Sequence, residues 1–286
     1  MNKQLFGLFL LISIMGSWSC KKTDTILSAT EEDALIKAFI AKKSWTAKAT
    51  PEGIYYVTDS IGTGTEAPTD TNYVSIKYKS YVLNVDTPYD TSRTTTPVEF
   101  RLGSVIEGLR IGLKNYKTGS KGKIIIPSAY AFGESTDRGV PAYSILVFEF
   151  EMLSIKTQAV AEDDQIKAYI AKKGWTAQAT PEGVYYVIDS VGTGTATPTL
   201  TSIIKCFYKG YFLNESVFDS NLAPKAPIEF NLSGLIEGWQ IGFQKFKEGG
   251  KGKILMPSRY GYGSQGSGSI APNTILVFDV ELVSFR

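Results

Sequence analysis

The chain contains no histidine among its 286 residues, and this absence limits the chemistry it can perform. Histidine is the side chain most often used for acid–base catalysis near neutral pH, and it belongs to most catalytic triads and most zinc sites. We also find no carboxylate pair, no cysteine cluster and no serine with a neighbouring base in the sequence. Hydrolase and metalloenzyme interpretations are therefore without support.

The chain also has few cysteines and a small net charge. The only cysteines are Cys20 and Cys206, so no intramolecular disulfide framework is expected. Lys and Arg number 30 against 28 Asp and Glu, and this balance gives no reason to expect nucleic acid as a partner. A hydrophobic content of 43% argues against disorder and is sufficient for one large core or two modest ones.

The N-terminus has the order of a secretory signal. Lys3 precedes an apolar run of eleven residues from Leu5 to Met15, and small residues then lead to Cys20. Eleven residues are too few to span a bilayer. Residues 1–20 resemble a bacterial lipoprotein signal, which implies lipidation of Cys20 and an anchor in the cell envelope, on the periplasmic or the surface face of the outer membrane. The alternative is plain secretion, with Cys20 left in the leader.

An internal repeat determines the organisation of the rest of the chain. The segment that begins IKAFIAKKSWTAKATPEG at Ile36 recurs at Ile166 as IKAYIAKKGWTAQATPEG. The offset of 130 residues then persists to the end, apart from one insertion and one deletion that cancel around Asp90 and Asp219. A period of this size is that of a domain rather than of a solenoid unit. We predict a first domain over residues 31–156 and a second over residues 162–286, with a short polar boundary at residues 156–162.

Each copy predicts the same α+β architecture. A short amphipathic helix is expected first, with the acidic residues Glu31–Asp33 and Glu162–Asp164 in its first turn. Alternating strands follow, as where Ile204, Cys206 and Tyr208 alternate with mostly polar positions, which predicts a strand with one buried face. A helical pattern (VIEGLRIGLKNY or LIEGWQIGFQKF) lies between the later strands. Cys206 occupies the strand position of Ile76, which predicts a buried inert thiol rather than a reactive one. The class is mostly antiparallel strands covered by one main helix.

Two glycine-rich stretches partly match nucleotide-binding motifs. Gly261 to Gly266 match the G-x-G-x-x-G pattern, but the Ser/Gly-rich run that follows cannot open a helix, and the first copy lacks the pattern. The segment from Gly119 to Lys123 lacks the spacing of a phosphate loop and is better interpreted as a tight turn. Neither stretch predicts a nucleotide site.

Five motifs in the second domain follow one another in the order of a known family. They are YKG at Tyr208, VFDS at Phe218, LIEGW from Leu235, PSRYGYG around Tyr262 and APNTILVFDVEL from Ala271. This series of about 80 residues resembles the FKBP-type peptidyl-prolyl isomerases. The resemblance implies two tandem domains, each with a half-open antiparallel sheet wrapped around one helix. It also implies an aromatic pocket for a proline ring, proline-containing polypeptides as partners, and neither a metal nor an organic cofactor.

The resemblance assigns site residues one at a time. It implies Trp239 as the pocket floor, aromatic walls and a pocket carboxylate, a hydroxyl at Tyr262 that bonds the substrate backbone, and a peptide-receiving segment at Leu235 and Ile236. Ile228 stands where the family often has a phenylalanine. The second-domain site residues are Tyr208, Phe218, Asp219, Ile228, Leu235, Ile236, Trp239, Tyr262, Ile270 and Phe278.

The first domain keeps the pattern less completely. Leu109 replaces the floor tryptophan, Phe132 replaces the hydroxyl-bearing tyrosine, and Val98 stands at the position of Ile228. We expect weak proline binding there and slow isomerisation at most. The predicted degenerate site comprises Tyr78, Tyr89, Asp90, Val105, Ile106, Leu109, Phe132, Val140 and Phe148.

Two alternatives remain open at this point. The protein could be a chaperone or adaptor that uses the same pockets to hold polypeptides without turnover. It could also dimerise through the helices that contain Ile36 and Ile166, although these helices are short and a monomer is the prediction.

Overall fold

The computed structural model describes residues 26–92, 96–137, 139–222 and 226–286, and these form two copies of one architecture. Cys20 and the predicted signal over residues 1–20 lie outside the described residues. Within the described part of the chain, none of the helices has the length and apolar content needed to cross a membrane. The location of the protein and its lipidation remain predictions.

Each copy consists of one leading helix, seven strands and one short internal helix. The first copy contains α1 (Ala29–Lys42), β1 (Ala47–Ala49), β2 (Tyr55–Ser60), β3 (Tyr73–Val82), β4 (Asp90–Thr91), β5 (Val98–Arg101), α2 (Glu107–Leu113), β6 (Lys121–Ile126) and β7 (Leu146–Lys156). The second contains α3 (Gln158–Lys173), β8 (Gln178–Ala179), β9 (Tyr185–Ser190), β10 (Ile203–Tyr211), β11 (Val217–Ser220), β12 (Ile228–Asn231), α4 (Glu237–Phe243), β13 (Lys251–Met256) and β14 (Leu276–Phe285).

The two sheets have the same antiparallel topology. The strand order is β1-β2-β6-β7-β3-β4 in the first and β8-β9-β13-β14-β10-β11 in the second, with β5 and β12 also paired to the long strands β3 and β10. In β10 the side chains of Ile204, Cys206 and Tyr208 are buried and the intervening residues are half-buried. The period-two pattern therefore marks one face of the strand, as the sequence predicts.

A core lies on each face of both sheets, and this explains why some strands are apolar without interruption. In β6, Ile124 and Ile126 pack into the core under α2, whereas Ile125 packs beneath α1 on the opposite face. All three isoleucine side chains are fully buried. A strand covered on both faces needs apolar residues at every position. The same arrangement occurs in β13, where Leu255 faces the α3 core.

The leading helix of the second copy begins earlier in the chain than its acidic run predicts. In α1, Ser28 is the N-cap and forms a capping box with Glu31, so Glu31 and Glu32 lie in the first turn and Asp33 begins the second. In α3, Thr157 is the N-cap and the helix begins at Gln158, which places Glu162 in the second turn. The prediction of a first turn at Glu162–Asp164 is therefore wrong. Gln, Ala and Glu are good helix formers, and they extend α3 toward its N-terminus.

The predicted boundary at residues 156–162 contains almost no loop. Strand β7 ends at Lys156, and Thr157 alone separates it from α3. The Lys156 ammonium group lies 2.8 Å from a Glu99 carboxylate oxygen and 2.9 Å from one of Asp164. These ion pairs connect β5 to α3 across the junction. The division into residues 31–156 and 162–286 stays a prediction.

Both leading helices pack against the sheet of their own copy. Ile36 and Ile166 are fully buried, in cores that also contain Val147 and Val277 of the closing strands. Neither isoleucine is exposed for contact with a second chain in this structure. This burial concerns the apolar face of each helix, and the monomer remains a prediction.

Cys206 is the free cysteine of the described chain, and it is fully buried. Burial raises the pKa of its thiol to about 12, because the apolar surroundings disfavour the charged thiolate. The thiolate is the nucleophilic form, so the thiol is unreactive at neutral pH. The prediction of an inert core cysteine agrees with this environment.

Candidate functional site

An aromatic cluster forms the centre of the second domain, on the face of the sheet that α4 covers. The Trp239 ring packs edge-to-face with Tyr208 and with Phe278, each at a centroid distance of 5.1 Å. Phe218 meets Phe278 in the same way at 5.6 Å. Trp239 and Phe278 are only 5% and 3% exposed. The structure therefore brings four predicted aromatic site residues into one contiguous cluster.

Two glycines in α4 allow the helix, and with it Trp239, to lie close to the sheet. Gly238 and Gly242 face β13, and a Cβ atom on Gly242 would lie only 2.7 Å from carbon atoms of the Ile254 side chain. Because glycine lacks this atom, α4 lies close to the sheet. Trp239 follows Gly238 directly, so its indole is held low against the strands. Its Nε1–H is buried and has no hydrogen-bond partner among the described residues.

A carboxylate lies at the edge of the cluster. The Tyr208 hydroxyl donates a hydrogen bond of 2.6 Å to Oδ2 of Asp219, and the backbone N–H of Ser220 donates to Oδ1 at 2.8 Å. Burial raises the pKa of Tyr208, and the neighbouring Asp219 raises it further, so the hydroxyl stays protonated at neutral pH. Asp219 itself is exposed. The pair therefore presents a fixed carboxylate beside an apolar surface.

Three predicted residues lie on the loop and strand around the cluster. Ile270 is buried in the same core as Trp239, whereas Ile228 is 42% exposed and Tyr262 is 37% exposed. Within the described chain, nothing forms a hydrogen bond with the Tyr262 hydroxyl. Because the Tyr208 hydroxyl already donates to Asp219, Tyr262 is the tyrosine with a free donor here.

In the segment before α4, two carbonyl groups accept hydrogen bonds and one backbone N–H has no partner in the described chain. The Leu235 carbonyl accepts a hydrogen bond of 2.7 Å from the Gln240 side chain, and the Ile236 carbonyl accepts from the backbone N–H of Trp239 at 2.9 Å. Ile236 is the N-cap of α4. Its own N–H bonds to no group in the described chain. Both side chains are half-buried against the aromatic core.

The corresponding region of the first domain is a cavity of about 280 Å³. Eight of the nine predicted residues line it, and Val140 is buried in the core beside it. The carboxylate arrangement is repeated, since the Tyr78 hydroxyl donates to Oδ2 of Asp90 at 2.8 Å. Leu109 forms the floor and is smaller than an indole. The lining residues that the sequence interpretation did not assign to the site are Ile76, Phe100, Ser104 and Asp137.

A sequence model described as FKBP-type peptidyl-prolyl cis-trans isomerase matches residues 64–153 and again residues 194–283. These two regions make up more than half of the chain. The protein belongs to the FKBP-type peptidyl-prolyl cis-trans isomerase family. Both matched regions contain the aromatic site and its α-helix, so the chain has two tandem FKBP domains, and the predicted fold class is confirmed.

Individual relatives match about half of this FKBP chain. A probable FKBP-type peptidyl-prolyl cis-trans isomerase of Haemophilus influenzae is 37% identical over 151 residues, which cover 52% of this chain and 62% of the relative. The isomerase FkpA of Aeromonas hydrophila is 34% identical over 157 residues, covering 54% and 58%. The chain thus spans about three fifths of the length of these relatives. The crystal structure of FkpA from Escherichia coli is 31% identical, with coverage of 46% and 74% and a TM-score of 0.37.

Phe230 is a site residue that the sequence interpretation missed. Its ring lies 5.9 Å from Trp239 and 6.2 Å from Tyr208, both edge-to-face. The signal was present, because Phe230 lies two residues after Ile228 in the same strand and its counterpart Phe100 lines the first FKBP cavity. Period-two alternation places Ile228 and Phe230 on one face of β12. The aromatic ring missing at Ile228 is thus supplied two residues later.

Gly210 determines how closely the pocket aromatics approach each other. A Cβ atom there would lie 2.5 Å from the Phe218 ring and 2.8 Å from the Phe278 ring. We predict that Gly210→Ala displaces Phe218 and lowers kcat/KM for prolyl isomerisation about fivefold, because small misplacements in a site are costly. Steady-state assays on the full chain check this. Gly234→Ala, where a Cβ meets no atom within 4 Å, is the matched control and should leave kcat/KM unchanged.

Proposed function

We propose that this protein is a peptidyl-prolyl cis-trans isomerase that assists the folding of exported proteins, with the second FKBP domain as its catalyst. One observation supports this above the others: Tyr208, Trp239 and Phe278 form a rigid aromatic surface with the Asp219 carboxylate at its edge. The substrates are polypeptides that contain proline, whose ring stacks on the Trp239 indole between the aromatic walls.

The chemistry suits a site without histidine. Rotation about an amide bond faces a barrier of about 18–20 kcal/mol because resonance is lost as the bond twists, and an X–Pro bond takes tens to hundreds of seconds to exchange uncatalysed. Neither a nucleophile nor proton transfer is required. An apolar pocket disfavours the charge-separated resonance form of the amide. A pocket shaped for the twisted amide also binds the transition state better than either planar isomer.

The polar groups around the pocket orient the chain. The free hydroxyl of Tyr262 and the free N–H of Ile236 donate to the peptide backbone on either side of the proline. Asp219 fixes the Tyr208 hydroxyl and sets the electrostatic environment of the prolyl carbonyl. Leu235, Ile228 and Ile270 supply apolar contacts to the neighbouring residues of the substrate.

The first domain contributes to this function in a different way from the second. Its floor is Leu109 rather than an indole, and Phe132 offers no hydroxyl, so it lacks one substrate hydrogen bond and part of the stacking surface. We propose that its cavity of about 280 Å³ holds the polypeptide without efficient turnover. Binding at the first domain and isomerisation at the second would then act on one tethered client.

The location proposed for the protein is the cell envelope. Residues 1–20 have the pattern of a lipoprotein signal, and Cys20 would become the lipidated first residue of the mature chain. Mass spectrometry of the native N-terminus tests this directly, and an unmodified Cys20 would contradict the anchor.

Prolyl isomerisation by the full chain from Lys21 onward is the test of the activity. The chain should accelerate exchange in Ala-X-Pro peptides and the refolding of a proline-limited protein. Tyr262→Phe removes one substrate hydrogen bond, and Asp219→Ala leaves the buried Tyr208 hydroxyl unpaired, so the double variant should lose about tenfold in kcat/KM. Asp90→Ala, the equivalent change in the first domain, is the matched control and should retain activity.

Two results distinguish the proposal from a pure binding function. No acceleration by the unmodified chain would remove the isomerase proposal. Suppression of aggregation that survives the double substitution, together with absent turnover, would establish a holding chaperone on the same fold. Thermal unfolding of each variant shows whether lost activity reflects lost folding.

A further inference from the structure

Helix α3 contacts the loop that carries Tyr262 through a buried carboxylate. Glu162 is only 2% exposed, and it accepts hydrogen bonds from the backbone N–H of Ser258 at 2.8 Å and from the Ser258 hydroxyl at 2.6 Å. Ser258 begins this loop, directly after β13 and Pro257. Burial of a carboxylate is costly unless its oxygens are hydrogen-bonded, so these contacts are specific rather than incidental.

A second side chain of α3 reaches the other end of the same loop. The Nε2 of Gln158 lies 2.8 Å from Oε1 of Glu162, 3.0 Å from Oγ of Ser258 and 2.9 Å from Oδ1 of Asn273. Asn273 closes the loop before β14 begins. One amide group, half-buried in the first turn of α3, therefore connects the start of the loop to its end.

The backbone within the loop continues this connection to the site. Gly263 donates its N–H to the Ser258 carbonyl at 2.9 Å, and Asn273 donates its N–H to the Gly263 carbonyl at 2.8 Å. Asn273 has a φ of 57°, a left-handed conformation that asparagine tolerates better than most residues. Tyr262 directly precedes Gly263. The position of the Tyr262 ring thus depends on a network anchored at both ends to α3.

The first domain repeats the backbone hydrogen bonds of the loop, from Gly133 to Ser128 and from Tyr143 to Gly133, but only half of the side-chain anchoring. Glu32 accepts hydrogen bonds from the N–H and the hydroxyl of Ser128, as Glu162 does from Ser258. However, Ser28 stands at the position of Gln158, and its hydroxyl bonds to Glu31 of its own helix. Tyr143 stands at the position of Asn273. The connection at both loop ends therefore occurs in the copy whose loop carries a tyrosine hydroxyl, and the copy with Phe132 lacks it.

We propose that Gln158 and Glu162 are positioning residues of the second FKBP site, which hold both ends of the 258–273 loop and thereby place Tyr262 over the pocket. This inference rests on the proposed isomerase function. It makes α3, which precedes the region that the family model matches, a part of the catalytic unit.

A double-mutant cycle tests the proposal in the full chain. Gln158→Ala should lower kcat/KM about fivefold, which is the loss expected for Tyr262→Phe, because both remove the same hydrogen bond to the substrate. Gln158→Ala should have no further effect in the Tyr262→Phe background. Gln165→Ala, on the same helix, is the matched control and should retain full activity. The proposal would be overturned if the two losses of kcat/KM multiplied in the double variant, or if Gln158→Ala kept full activity.

A second pair of variants separates positioning from folding. Glu162→Gln and Glu32→Gln each replace a carboxylate that accepts two hydrogen bonds from a serine, one in each domain. Both should lower the melting temperature, but only Glu162→Gln should reduce isomerisation. Equal loss of activity in the two variants would contradict the positioning role.

Amide hydrogen exchange tests the network without reference to activity. In Gln158→Ala, exchange of the Gly263 and Asn273 amides should accelerate at least about fivefold, since both lie inside the anchored loop. In Gln165→Ala they should exchange as in the unmodified chain. Unchanged exchange in Gln158→Ala would overturn the inference even if the protein is an isomerase. An inactive unmodified chain with accelerated exchange would instead remove the proposed function and leave the network in place.

Discussion

Replacing Trp239 with leucine, the residue that the first domain carries as Leu109, is expected to lower kcat/KM of the full chain about thirtyfold. The indole contacts Tyr208 and Phe278 at 5.1 Å and supplies the flat floor of the pocket. Leucine would remove the flat ring face on which the proline stacks and leave a gap beneath it, a loss of about 2 kcal/mol. Steady-state assays on Ala-X-Pro peptides measure this loss.

The control for this variant must separate the pocket from the core. Trp239→Leu also leaves a cavity, and large-to-small changes in a core cost several kcal/mol of the free energy of unfolding. Phe246 is 1% exposed in the same core and is not among the assigned site residues. Phe246→Leu should lower the melting temperature while kcat/KM stays close to that of the unmodified chain. Similar activity losses in the two variants would show that folding, not the floor, accounts for the effect.

Much of the fold was predictable because its local patterns have a single interpretation. The alternation through Ile204, Cys206 and Tyr208 predicted a strand with one buried face, and the structure confirms it. The repeat predicted that the two copies share one architecture, and the two sheets have the same strand order. The five ordered motifs led to the FKBP family, which the match to both regions confirms. The roles of the individual site residues stay predictions.

The packing of the leading helices was not predictable from the same evidence. The spacing of Ile36, Phe39 and Ile40 indicates an apolar helix face but not the surface that covers it. A second chain and the sheet of the same domain satisfy that pattern equally well. The structure places the face against β6 and β7, where Ile125 and Val147 are buried with it.

Glu162 is the clearest example of a contact that the sequence does not predict. A carboxylate near a helix N-terminus is usually interpreted as an exposed charge that favours the helix dipole. Here it is buried, and its partner Ser258 lies 96 residues further along the chain. No local spacing connects the two. The repeat could have drawn attention to the pair, since Glu32 and Ser128 recur at the same offset, but the pairing itself needed the structure.

Several differences between the copies lie around the pocket. Ser80 stands at the position of Gly210, and its hydroxyl donates to the Asp90 carbonyl at 3.0 Å. Leu109 and Phe132 replace the indole and the tyrosine. We propose that these changes act together, because a serine side chain, a small floor and a missing hydroxyl would each reduce contact with a prolyl amide. They account for a first domain that has the fold and the Tyr78–Asp90 pair without the complete site.

Restoring the missing groups should therefore give the first domain measurable activity. In the Trp239→Leu background, whose second domain keeps about a thirtieth of its activity, Leu109→Trp with Phe132→Tyr is expected to raise the activity of the first domain about twentyfold and kcat/KM of the full chain about fourfold. The gain comes from the indole floor, worth about 2 kcal/mol and offset in part by Ser80, because the loop that carries residue 132 lacks the anchor that would place the new hydroxyl. The cavity of about 280 Å³ above Leu109 provides the space for the larger ring. The same peptide assays measure the gain, and Leu109→Phe with Phe132 unchanged serves as the control for added bulk alone. A folded double variant with no gain would mean that the anchoring of the loop through Gln158 and Asn273, which the first domain lacks, matters more than the pocket surface.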